Sequence, residues 1–178
     1  MQHPLHLFSF CPKCGSNDFV ENDFKSKRCK RCGFTYYFNP LAATVAIITN
    51  SKGEMLVATR SKEPAKGTLD LPGGFCDSYE TAEECIAREI VEETGLRIDS
   101  AEYLFSIPNI YHYSGMDIHT MDLFFECSIE RNGTLCAADD VERLQWIDIK
   151  ELDSNRFGLR SIRTGVERLK TAITDNEK

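Results

Sequence analysis

The segment from Leu71 to Leu96 constrains this chain more than any other, because it combines a glycine turn, a capped helix and a row of acids in one run. Leu69-Asp70-Leu71 reads as a short strand that Pro72-Gly73-Gly74 breaks. Thr81, with Glu84 three positions on, forms a capping box, Thr81–Thr94 carries helix formers, and Gly95 stands where a left-handed C-cap belongs. On that helix Glu89, Glu92 and Glu93 fall at i, i+3 and i+4 and share one face. With Ala82 at zero and about 100° per residue, Cys85 and Ile86 lie near −60° and 40°, and the three acids near −20°, −80° and 20°. The trio is therefore expected on the buried side. Inward carboxylates repel one another and are costly to desolvate, unless they ionise around a cation or their pKa values rise. A hard divalent ion such as Mg²⁺ resolves this, since it takes oxygen ligands from a few carboxylates together with substrate phosphates.

Charge alone points less far. The net charge of −7 over 178 residues divides unevenly: residues 1–40 hold six Lys/Arg against three acids, whereas residues 74–96 hold seven acids and one Arg. Such a block repels a bare phosphate unless cations intervene. A solvated acidic helix is the better reading of the charge, and the spacing is what reverses it. No stretch approaches the roughly 18 apolar residues of a membrane span, and the start lacks the basic segment and apolar run of a secretory signal. The expectation is a cytoplasmic protein with no membrane partner, in which the eight cysteines serve as thiols and metal ligands rather than disulfides.

Four of those cysteines form the pairs Cys11-Pro-Lys-Cys14-Gly and Cys29-Lys-Arg-Cys32-Gly. Two such turns let four thiolates close a tetrahedral shell around Zn²⁺, with no position left for water, so the site is expected to be structural. Phe34, Tyr36, Tyr37 and Phe38, beside the basic residues, read as the ribbon's small core and docking face. An RNA surface of charge and stacking rings is the less favoured reading. Cys76, Cys85, Cys127 and Cys136 have no comparable spacing and read as ordinary thiols.

Beyond Asn39-Pro40 the composition shifts to apolar runs, dividing the chain into an expected zinc ribbon at 1–39 and a larger domain at 40–178. Residues 43–49 and 55–59 read as two strands joined by a hairpin turn, 103–107, 120–129 and 145–149 as further strands, and 159–173 as a closing amphipathic helix. Strands interrupted by one helix and closed by another indicate an α/β or α+β layered domain.

Gly74, Glu80 and Arg88-Glu89-Ile90-Val91-Glu92-Glu93-Thr94-Gly95-Leu96 match in full the signature GX5EX7REUXEEXGU, in which U is a bulky aliphatic, and the chain thereby resembles the Nudix hydrolases. The likeness extends over about residues 41–153, through the ATVAIIT strand, the Leu71-Pro72 lead-in, and Trp146-Ile147 followed by Glu151-Leu152. It implies an α+β Nudix fold, a mixed sheet sandwiched between helices, and water attack on a phosphoanhydride with Mg²⁺ or Mn²⁺. By the same resemblance Glu89, Glu93 and often Glu92 would hold metal, with the main-chain carbonyl of Gly73 in support. Arg88 would orient the glutamates, Glu80 would brace the loop-to-helix geometry, and Asp140, or Asp139 beside it, would be a fourth ligand or the general base. Arg60 is a candidate phosphate clamp, with a surface strand-end arginine the equal alternative. His112 and His119 are weaker candidates for nucleotide contact.

A four-cysteine ribbon ahead of a Nudix domain is similar to the NADH pyrophosphatases, whose second motif is SQPWPFPxS. Here residues 106–114 read SIPNIYHYS, keeping Ser106, Pro108 and Ser114, and an aromatic in Tyr111, but not the Gln, the Trp or two prolines. The expected substrate is thus NADH or a related dinucleotide, slightly ahead of ADP-ribose, a nucleotide sugar or a non-canonical nucleoside triphosphate. Tyr111 and Tyr113 are candidate stacking rings for a base. A nucleotide sensor whose ribbon grips RNA or protein is the alternative from another class, and a capped-RNA hydrolase joins the two. Family members are often dimers, so a homodimer is a further expectation.

Overall fold

The computed structural model describes residues 2–130 and 133–176; residues 131–132 and 177–178 of the expected second domain lie outside the described residues. Two compact units form, one from the chain up to Pro40 with His112–Ile118, the other from Leu41–Tyr111 with the chain from His119 onward. The first contains a small antiparallel sheet of β1 (Phe19–Asp23), β2 (Ser26–Cys29) and β3 (Thr35–Tyr37). Its core is little more than Cys11, Phe19 and Cys29, with Cys14 and Phe34 against them. Phe34 thus serves the core, as expected, while Tyr36 and Tyr37 remain exposed and Tyr36 stacks on Phe8 at 6.3 Å.

The second unit has two three-stranded sheets. β4 (Leu41–Ile48) runs parallel to β8 (Met116–Ile129), whose other neighbour is β7 (Ile98–Tyr113). β5 (Glu54–Arg60) pairs antiparallel with β6 (Leu69–Asp70) and β9 (Val141–Asp148). The hairpin expected between residues 43 and 59 is closed only at its turn, where Asn50 N–H donates to the Glu54 carbonyl and Thr49 bridges Met55. Past that point the two strands part into different sheets. β7 is three times longer than the five residues expected. Pro108 sits inside it without penalty because β7 is an edge strand, where an absent N–H leaves no central ladder bond unmade.

Period-two alternation sets the layers. Val45 and Ile47 of β4, Met55 and Val57 of β5 and Phe124 of β8 face one apolar cluster, completed by Ile162 and Val166 of α2 (Arg160–Asn176). Ala46, Ile48, Leu56, Phe125 and Cys127 face the other, completed by Ile86 and Ile90 of α1 (Ala82–Thr94). The two sheets, with parallel and antiparallel pairs between them, therefore lie between helices, in a mixed α+β arrangement. Ile86 and Ile90 are fully buried, each contributing about 1.5–3 kcal/mol by leaving water, and they anchor an otherwise polar helix. Both halves of the Thr81–Glu84 capping box are made, and Gly95 adopts φ 71°. No helix among the described residues is long and apolar enough to cross a membrane.

On the opposite layer, α2 approaches β8 through Gly165, where an added Cβ would stand 2.4 Å from the ring of Phe124. Gly165→Ala should therefore destabilise the protein by about 1–2 kcal/mol, although helix propensity alone would favour alanine by about 1 kcal/mol. The urea midpoint measures the sign.

Candidate active site and a four-cysteine centre

Where the apolar stripes of the second unit run out, a cavity of about 360 Å³ opens, lined among others by Gly73, Gly74, Arg88, Glu89, Glu92 and Glu93. The loop before α1 is stitched to β4: Thr44 N–H donates to the Gly74 carbonyl at 2.8 Å and Ala46 N–H to the Pro72 carbonyl at 2.7 Å. Gly73 takes φ 142°, and a Cβ there would lie 2.1 Å from the Thr44 carbonyl oxygen, so only glycine fits. Its N–H donates to Glu93 Oε2 at 3.0 Å. Gly74 makes room for the Glu89 side chain, since a Cβ added at this glycine would fall 2.6 Å from the Glu89 carboxyl.

The three helix acids have different fates. Glu93 is buried at 8% exposure, and burial pushes its carboxyl up to about 8, with the neighbouring charges of Asp70, Glu89 and Asp140 adding to the rise and the Gly73 N–H opposing it. Glu89 is half-buried, and its carboxyl too is raised, first by desolvation. Glu92 is exposed, which corrects the expectation that all three turn inward. It stands at the edge of the wheel sector, where Arg88 Nη1 holds it at 3.2 Å from outside. Arg88 organises this end: Nε and Nη2 grip Glu80 at 2.8 and 2.9 Å, Nη1 reaches Glu89 at 2.7 Å, and Nη2 also donates to the Phe75 carbonyl at 3.1 Å. The doubly bonded guanidinium holds the Glu80 carboxyl down to about 2.

Asp139 and Asp140 line the cavity, and Lys62 pairs with both. Arg60 lines it too but is largely buried, with Nε on the Pro64 carbonyl, Nη1 on Asp70 and Nη2 on the Tyr111 hydroxyl at 3.3 Å. It is thus not a surface arginine, and Asp70 offsets part of its charge. Tyr111 meets Phe75 edge-on at 5.7 Å, and both rings line the cavity. His112 pairs with Asp117 at 2.9 Å, and His119 is exposed; neither lines the cavity. Of residues 106–114 only Asn109 and Tyr111, two apart on one face of β7, do so. Asp70, Phe75, Asn109, Thr120 and Asp122 line it without having been singled out from the sequence. The available signal was an acid between two apolar neighbours, as in Leu69-Asp70-Leu71 and Met121-Asp122-Leu123.

A crowd of carboxyl groups, one pushed to about 8, beside a loop that contributes backbone polar groups, is an all-oxygen donor set that suits a hard divalent cation. Among the described residues only the cysteines bring three or more ligand atoms within 4.8 Å of one another. These are Cys11, Cys14, Cys29 and Cys32, with Cys11 and Cys32 sulfurs 3.8 Å apart and Cys14 and Cys29 sulfurs 3.7 Å apart. A tetrahedral Zn²⁺ with Zn–S near 2.3 Å requires S···S edges of about 3.8 Å. Each CxxC turn closes with a glycine N–H, Gly15 onto the Cys11 carbonyl and Gly33 onto that of Cys29. The other four cysteines are also free thiols.

A family model described as NUDIX domain matches residues 39–166. The chain is 28% identical over 150 residues to the NAD-capped RNA hydrolase NudC of Vibrio parahaemolyticus, covering 84% of this chain and 55% of that protein. To the protein of the same name from Chromobacterium violaceum it is 29% identical over 148 residues, covering 83% and 53%. It thus spans about half the length of the curated relatives it matches. Among solved structures, a MutT NUDIX hydrolase from Burkholderia pseudomallei matches with 25% identity and a TM-score of 0.63, covering 72% of this chain and 97% of that one. A NUDIX hydrolase from Nitrosomonas europaea matches in fold, with 20% identity and a TM-score of 0.68, covering 92% and 90%.

The raised Glu93 carboxyl has a measurable consequence without any metal. Folded, it keeps its proton up to about pH 8, whereas unfolded it releases it near 4.5, so the folded state binds the extra proton between those values. The stability of the protein dialysed free of Mg²⁺ and Mn²⁺, with its cysteine centre left loaded, should therefore fall as pH rises from about 5 to 8, by on the order of a few kcal/mol at most. Glu93→Gln should flatten that decline in thermal melts.

Proposed function

The chain belongs to the NUDIX family, and from that premise we propose that it hydrolyses the pyrophosphate linkage of a nucleoside diphosphate derivative, with NADH or a related dinucleotide ahead of ADP-ribose, nucleotide sugars and non-canonical nucleoside triphosphates. The observation that carries the reading is the buried Glu93 carboxyl, fixed by the Gly73 N–H and crowded by Glu89, Asp70 and Asp140. Glu93 and Glu89, with Glu92 from the rim and the Gly73 carbonyl, would hold Mg²⁺ or Mn²⁺. Bound there, the ion would offset the substrate's negative charge and lower the pKa of water towards neutrality.

The chain's own groups do the rest. Arg88 fixes Glu89 and Glu92, and its two hydrogen bonds to Glu80 hold the guanidinium in place. Such pre-set side chains need no reordering when charge develops on the phosphoryl oxygens. Arg60, anchored on three sides, presents a fixed cation to an entering phosphate. Asp140, in the cavity lining, would take the proton, and on binding its partner Lys62 would have to yield it. Tyr111 and Phe75 offer ring surfaces to a base. The dinucleotide preference draws support from the ribbon-plus-NUDIX order and from relatives named NAD-capped RNA hydrolases.

In the ribbon, the sulfur spacing supports structural Zn²⁺, whose binding contributes about 10–16 kcal/mol in finger peptides and makes up for a core of three buried residues. Reduced thiolates fit the cytoplasm, where we place the enzyme, and a homodimer is part of the same proposal. A second reading, capped RNA as substrate, is favoured by the ribbon's exposed rings, Phe10 at 64% and Phe24 at 81%, beside basic side chains.

Wild-type protein with Mn²⁺ or Mg²⁺ should release a mononucleotide from at least one of NADH, ADP-ribose, nucleotide sugars and oxidised triphosphates. Glu93→Gln should lower that kcat by about a hundredfold or more while the circular dichroism spectrum stays native. Undiminished turnover by this variant refutes the assignment.

A further inference from the structure

The cavity's lining includes a buried acid that the phosphoanhydride chemistry leaves unused. Along β8 the alternate positions Thr120, Asp122 and Phe124 pass from core to cavity, so the stripe turns polar where it meets open space. Asp122 is 5% exposed and lines that wall. Its Oδ2 accepts from Ser161 Oγ at 2.5 Å and its Oδ1 from Thr120 Oγ1 at 2.6 Å, and the Asn109 side chain donates a third bond. No cation pairs with it among the described residues.

Three donors on two oxygens fix the plane of this carboxylate, yet a carboxylate offers about four acceptor sites, leaving capacity for one more donor. The same cavity is lined by the apolar Val45, Leu159 and Ile162 and by the Phe75 and Tyr111 rings, which meet edge-on. A phosphate would be repelled by Asp122, which no cation offsets among the described residues, whereas an uncharged ring with an N–H on its edge finds apolar neighbours and an acceptor. Resting on the hydrolase reading above, we infer that Asp122, held by Asn109, Thr120 and Ser161, is the specificity-determining acceptor for an exocyclic amino group on the substrate's nucleobase. A tie between β8 and the start of α2 would explain the Ser161 bond but gives no reason for selectivity among bases.

The test compares kcat/KM for ADP-ribose with that for its purine analogue, in which hydrogen replaces the 6-amino group, in wild type and in Asp122→Asn. Wild type should favour the amino-bearing substrate by at least about tenfold, since a site built around a hydrogen bond rejects the analogue lacking it. The variant should bring the ratio close to one. A wild-type ratio near one overturns the inference with no variant needed, and so does a variant that melts earlier but keeps the preference. If wild type turns over neither substrate, the hydrolase reading is what suffers. Calorimetric binding of AMP against purine riboside monophosphate then decides the subsite separately: the same tenfold preference supports it, and equal affinity overturns it.

Discussion

One hydrogen bond, from the N–H of Gly73 to the carboxyl of Glu93, holds together the parts on which this site depends. It exists because two constraints meet. The Gly73 backbone must press against the Thr44 carbonyl, which excludes any side chain, and the helix must present its acid inward, where desolvation opposes ionisation. Neither partner is stable alone in that position: a buried carboxyl without a donor is costly, and a loop in that conformation gains little without an anchor. Together they tie the loop before α1, itself bonded to β4, to the last turn of that helix, while Arg88 and Glu80 brace the loop further along.

The cavity follows from the same geometry that builds the core. α1 is apolar at Ile86 and Ile90 and acidic at Glu89 and Glu93, and β8 is apolar at Phe124 and polar at Asp122 and Thr120. Along β8 one stripe changes character, and on α1 acids and isoleucines interleave on one face, so rigid elements that pack the interior also carry the functional groups. That arrangement places side chains more exactingly than loops would, with Arg60, Asp70 and Tyr111 linked in a bonded chain across the two sheets.

Much of α1 was legible because caps and glycines act locally: Thr81, Glu84 and Gly95 do in three dimensions what their types and spacing imply. Glu93 and Glu89 followed from helical periodicity, but Glu92 did not, because at the margin of a face a neighbouring guanidinium decides the direction. The four cysteines were legible for a similar reason, each pair being a local turn. What escaped was tertiary. The parting of β4 and β5 into separate sheets depends on β8 arriving between distant segments, and the full length of β7 was masked by Pro108 and polar residues that an edge strand tolerates. Asp70 and Asp122 each stand between two apolar neighbours, and only the facing Arg60 and Ser161 explain them.

The most direct measurement is anomalous diffraction from a crystal of the full chain grown with Mn²⁺. An ion should appear coordinated by Glu93 and Glu89 within the cavity. An empty difference map there at saturating Mn²⁺, with the Glu93 carboxyl still on the Gly73 N–H, would contradict the account.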